Sequence, residues 1–141
     1  MTTSTTSADA YTGGCYCGAI RYEATGAPIS TNICHCTQCR GASGAPFLAF
    51  ITLPRDGFRF TIGKPKRFRS SEKVQRGFCA TCGTTLTFEE DDFPDEISVT
   101  SASLDDPDRA PPDYHLYTTS QIAWIKQDDG ATRYPKSRTQ Q

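Results

Sequence analysis

The sequence predicts a single small domain that is mainly β, and three observations carry the prediction. Short apolar or alternating runs recur at brief intervals between glycine and proline turns. The chain has 141 residues, enough for one modest core. Its seven cysteines fall into three tight groups, and metal cross-links would help a core of that size.

Residues 1–11 are rich in Thr and Ser and lack periodicity, so a disordered tail is expected there, with the domain spanning 12–135. Gly13-Gly14-Cys15-Tyr16-Cys17-Gly18 is a glycine-flanked turn able to fold closely around a metal ion. Ile20, Tyr22 and Ala24 then alternate as a strand should, until Gly26-Ala27-Pro28 ends it. Residues 29–33 lead into Cys34-His35-Cys36-Thr37-Gln38-Cys39-Arg40. Extended backbone there puts Cys34 and Cys36 on one face and His35 on the other, with Cys39 returning after a tight turn. Residues 41–46 read as a small-residue loop that lets a ligand or another backbone approach.

The apolar run 47–53, closed by Pro54, reads as a buried strand. Phe58, Phe60 and Ile62 alternate with Arg59 and Thr61 as a half-buried one, and Gly63-Lys64-Pro65 turns the chain. Phe68, then Val74, Arg76 and Phe78, mark two more strands leading into Cys79-Ala80-Thr81-Cys82. Thr84, Leu86 and Phe88 continue beyond that pair, and Ile97 with Val99 marks another strand. Further on, residues 104–108 suggest a helical turn and Pro111-Pro112 a break. His115-Leu116-Tyr117 and Ile122-Ala123-Trp124-Ile125 suggest two closing edge segments, and residues 136–141 a frayed tail.

A net charge of −1 argues against a dedicated nucleic-acid binder and favours small partners. The first residues have neither a basic nor an apolar stretch, so no signal peptide or membrane span is expected and a cytoplasmic location is. Seven is an odd count, and a disulfide framework would leave a thiol over; clustered thiols in a reducing compartment point to metal. The cysteines divide as four plus three. Cys15, Cys17, Cys79 and Cys82 suit a closed structural zinc, whereas Cys34, Cys36 and Cys39 suit a catalytic-type zinc with a fourth position left over.

Three thiolates make a weaker Lewis acid than three imidazoles, but they suit binding another soft thiolate. The expected substrate is therefore a small-molecule thiol or its adduct. Two alternatives stay open: Cys15 and Cys17 pair with Cys34 and Cys36, leaving Cys39 with Cys79 and Cys82, or the second zinc is also structural, with His35, His115 or an acid as fourth ligand. Among other residues, His115 is an acid/base candidate, and Lys64, Lys66, Arg67 and Arg69 form a basic cluster that is either a solvated face or a hold for substrate carboxylates. Arg40 is a better carboxylate candidate because it adjoins Cys39, and Trp124 reads as core.

The segments 14–22, 34–40 and 78–86 resemble the glutathione-dependent formaldehyde-activating enzyme family, which also includes centromere protein V; the resemblance runs over about residues 13–125. It implies a mainly β fold of small coiled antiparallel sheets, structural zinc at Cys15, Cys17, Cys79 and Cys82, and catalytic-type zinc at Cys34, Cys36 and Cys39. It implies a carbon–sulfur lyase that joins glutathione and formaldehyde reversibly as S-hydroxymethylglutathione. The alternative is a non-catalytic, zinc-stapled interaction module.

Overall fold

The computed structural model describes residues 10–138. In chain order the elements are β1 (Tyr11–Gly14), β2 (Arg21–Ala24), β3 (Ser30–Cys34), α1 (Thr37–Ser43), β4 (Leu48–Pro54), β5 (Phe58–Ile62), β6 (Lys66–Ser71), β7 (Val74–Phe78), β8 (Thr85–Glu90), β9 (Glu96–Thr100), β10 (Tyr114–Leu116) and β11 (Thr132–Arg133). They form two sheets, β1-β2-β5 and β11-β10-β3-β4-β9-β8-β7-β6. Short turns between successive strands make most pairings antiparallel, as the family resemblance implies.

The alternation read from the sequence decides which face is buried. Ile20, Tyr22 and Ala24 point into the core, where they meet Ile51 and Leu53 of β4, Leu86 of β8 and Val99 of β9. Tyr22 is 1% exposed, stacks on Phe58 at 5.5 Å, and shares a 2.6 Å hydrogen bond with the Ser103 hydroxyl. Its register partner on β1 is Gly13, where a Cβ would come within 2.4 Å of both the Ser103 carbonyl oxygen and the Tyr22 hydroxyl. Only glycine lets β1 lie that close.

Several expectations need correcting. The segment after Cys36 is a helix, α1, which takes up the first part of the loop expected at 41–46. His115 does not lie on an edge: β10 runs parallel to both β3 and β11, so it sits inside the large sheet. The edge is β11, which the sequence did not announce. Residues 122–125 form no strand, and Trp124 is 70% exposed rather than core. The expected helical turn at 104–108 is a 3-10 turn at Pro107–Arg109. Most of the expected N-terminal tail, and residues 139–141 of the C-terminal one, lie outside the described residues. Within them Ala10 is buried, Tyr11 opens β1, and the Lys136 carbonyl accepts from the Tyr117 N–H at 3.0 Å.

The basic cluster has a structural occupation. Lys66, Arg67 and Arg69 lie on β6, the other edge of the large sheet, where Arg67 pairs with Glu89 at 2.9 Å and Arg69 with Asp91 at 2.8 Å. A charged edge discourages a second chain from adding a strand. No helix among the described residues is long and apolar enough to cross a membrane.

Candidate metal centres

Two turns of similar shape build the first cluster. Cys15 follows β1, and its sulfur accepts the Ile20 N–H at 3.3 Å across a turn that Gly18 completes at φ +84°. Cys79 follows β7, and its sulfur accepts the Cys82 N–H at 3.4 Å across a turn that Gly83 completes at φ +83°. A register shift between Gly77 and Phe78 bends β7 just before Cys79 and re-aims the chain there. Backbone N–H groups directed at sulfur favour the thiolate, the form that binds metal.

The four sulfurs of Cys15, Cys17, Cys79 and Cys82 lie within 4.8 Å of one another. Cys15 and Cys17 are 3.6 Å apart, and Cys17 and Cys79 are 3.8 Å apart. A tetrahedron with Zn–S bonds of about 2.3 Å has S···S edges of about 3.8 Å, so this donor set fits such an ion. The Thr84 hydroxyl, 3.2 Å from the Cys82 sulfur, holds that thiol down to about 5.

The second cluster gathers Cys34, Cys36 and Cys39, again within 4.8 Å of one another. The alternative pairing of Cys15 and Cys17 with Cys34 and Cys36 is therefore not the one adopted. Cys34 ends β3, inside the sheet between β4 and β10. Cys36 is the N-cap of α1, and its sulfur accepts the Cys39 N–H at 3.3 Å. Cys39 sits in the first turn of the helix, which ends at Gly44 with φ 72°, where the Gly44 N–H reaches the Arg40 carbonyl at 2.7 Å. Leu48, Phe50, Phe88 and Tyr117 pack around these thiols, leaving Cys36 as the half-buried member. Contact with Cys34 drives the Cys36 thiol down, while contact with Cys36 drives Cys34 up.

Neither histidine joins this cluster. His35 and His115 are both fully buried, and His115 Nε2 donates to the Asp129 carboxylate at 2.8 Å. A carboxylate only accepts, so neutral His115 presents a bare Nδ1, which takes the proton of His35 Nε2 at 3.0 Å. That leaves His35 Nδ1 as the bare nitrogen, and it is the one buried without a partner. The relay from Asp129 through His115 to His35 fixes the backbone between Cys34 and Cys36.

Burial holds His35 down to about 4. An unfolded chain takes up that proton near pH 6.5, so the contribution is full above that value and is lost as the pH falls toward 4. Wild-type protein should therefore lose stability on acidification from pH 6.5 to 5 faster than His35→Asn, with a difference of up to about 1.4 kcal/mol per pH unit. Urea midpoints at each pH, with metal content assayed on the same samples, measure it; parallel slopes would refute it.

Sequence reasoning missed two residues. The sequence pattern marks Arg76 only as part of a strand, yet it is 2% exposed and donates from Nη2 to the Cys39 sulfur at 3.6 Å. Its place between Val74 and Phe78 in an inward-alternating strand was the available signal. Tyr117 packs against the cluster with φ 57°, a left-handed backbone that costs a non-glycine residue energy, and no sequence signal pointed to it. Arg40 lines a separate open cleft of about 330 Å³ with Trp124, Ile122 and Pro46.

Comparisons with known proteins follow the same lines. A family model described as glutathione-dependent formaldehyde-activating enzyme matches residues 10–120. A Schizosaccharomyces pombe protein named as an uncharacterized lyase is 38% identical over 80 residues, covering 55% of this chain and 56% of that protein. The chain thus spans little more than half of that relative's length. A crystal structure of a Rhodobacter sphaeroides protein shares the fold with a TM-score of 0.56 at 20% identity, over 86% of this chain and 97% of the other.

Proposed function

Because the chain belongs to the glutathione-dependent formaldehyde-activating enzyme family, we propose that it is a carbon–sulfur lyase acting reversibly on a thiol adduct, such as S-hydroxymethylglutathione formed from glutathione and formaldehyde. One observation carries the reading. The cluster of Cys34, Cys36 and Cys39 gathers no fourth His, Cys, Asp or Glu ligand among the described residues, whereas the other cluster has four. An ion held there would supply a position for a soft thiolate and make the thiol easier to deprotonate.

The chain's own residues supply the rest. Leu48, Phe50 and Phe88 exclude water from the inner side of the cluster, and half-buried Cys36 marks the approach. The reaction is an addition: the sulfur's electron pair forms the C–S bond, the carbonyl π pair moves to oxygen, and the thiol proton ends on that oxygen. Holding thiol and aldehyde together accounts for most of the rate gain, because aldehydes accept thiolates without a strong acid.

Cobalt(II) in place of the native metal tests the reading, since thiolate charge-transfer bands report the ligand set. Added glutathione should change the bands of the three-cysteine centre and leave those of the four-cysteine centre alone, and added formaldehyde should then give thiol-dependent turnover. Bands unmoved at saturating thiol would overturn the proposal in favour of a closed second site in an interaction module.

A further inference from the structure

Arg76 is a buried cation without a carboxylate. Projecting from β7 between Phe68 of β6 and Phe88 of β8, it lies 5.1 Å over the Phe88 ring. Its Nε donates to the Ser70 hydroxyl at 2.9 Å, its Nη2 to the Cys39 sulfur at 3.6 Å, and its Nη1 has no partner. None of the ion pairs among the described residues involves it. Leaving a guanidinium buried and uncompensated is costly, so the negative charge it faces has to come from the thiolates beside it.

The two clusters differ in this respect. A divalent ion among four thiolates carries two negative charges in excess, and no guanidinium among the described residues donates to any of those four sulfurs. Among three thiolates it carries one in excess, which Arg76 cancels. A neutral centre accepts an anionic fourth ligand far more readily than one that is already negative. Hydrogen bonding to the Cys39 sulfur also draws charge from it, so the incoming sulfur is the better nucleophile of the two.

We propose that Arg76 is a positioning residue that makes the Cys34–Cys36–Cys39 centre select an anionic thiolate over a neutral molecule as its fourth ligand. The inference rests on the function proposed above and adds the charge of the ligand that the site takes.

Cobalt(II)-loaded wild type, Arg76→Met, Arg76→Gln and Arg76→Lys are titrated with glutathione and, separately, with imidazole as a neutral ligand, following the visible bands. The neutral variants should raise half-saturation by glutathione roughly tenfold or more. Imidazole binding should be unchanged or tighter, and Arg76→Lys should recover most of the thiol preference. Equal weakening of both ligands, or wild-type preference in both neutral variants, overturns the proposal. If neither neutral variant loads two cobalt ions while Arg76→Lys does and keeps the preference, the charge requirement stands; if Arg76→Lys also fails to load, Arg76 is only structural and the proposal falls. A wild type that ignores glutathione removes the lyase reading and this inference together, whereas a wild type that responds isolates the inference.

Discussion

Cys82→Ser should abolish the cooperative unfolding transition. The cluster it belongs to ties the turn after β1, in the three-stranded sheet, to the turn after β7, in the eight-stranded one. Cys17 and Cys79, 3.8 Å apart, are separated by 62 positions in the chain. Closing so long a loop costs entropy that the unfolded chain regains once the link is lost. A structural zinc site supplies on the order of 10 kcal/mol, comparable to the whole net stability of about 5–15 kcal/mol for a domain. The serine hydroxyl is a poor substitute for a thiolate. Purified Cys82→Ser should therefore be insoluble, or show a broad thermal scan with exposed apolar surface, and a strong chelator should do the same to wild type. A sharp transition within a few degrees of wild type would show that the sheets dock without the ion.

Cys36→Ser should behave differently, losing about one metal ion per chain and all thiol-dependent turnover while keeping a cooperative transition. The three sulfurs of its cluster come from neighbouring positions and close only a local loop. Cys36 is also the N-cap of α1, and serine is a better cap than cysteine: its hydroxyl can accept the Cys39 N–H that the sulfur now takes. The substitution thus removes a ligand while preserving the helix start. Metal content, thermal scans and turnover, measured beside Cys82→Ser, decide it. Unfolding as severe as that of Cys82→Ser would make both clusters structural and remove the support for catalysis.

The parts of the molecule legible in the sequence are those governed by local pattern. Ile20, Tyr22 and Ala24 alternate, and the core holds all three. The cysteine spacings separated into four and three, and the sulfurs assemble in those sets. What local pattern did not reveal depends on residues far apart in the chain. His35 and His115 meet across 80 positions, and β10 is three residues long, too short to show that it pairs in parallel on both sides. The helix at Cys36 escaped because cysteine is not among the usual caps and glycine and serine follow it. Trp124 sits among apolar residues that suggest a core, yet the strand that would have buried it does not form.

The division of ligands along the chain also sets a timetable for biosynthesis. Five of the seven thiols, Cys15 through Cys39, are translated before Cys79 and Cys82, the pair that completes the four-sulfur cluster. At about 5–20 residues per second, the interval from Cys39 to Cys82 lasts a few seconds, during which Cys15 and Cys17 have no native partners except each other. In that interval the pairing rejected by the finished fold, Cys15 and Cys17 with Cys34 and Cys36, is the one within reach of a free ion. The four-sulfur cluster can therefore link the two sheets only after β7 and the turn that carries Cys79 and Cys82 have been made.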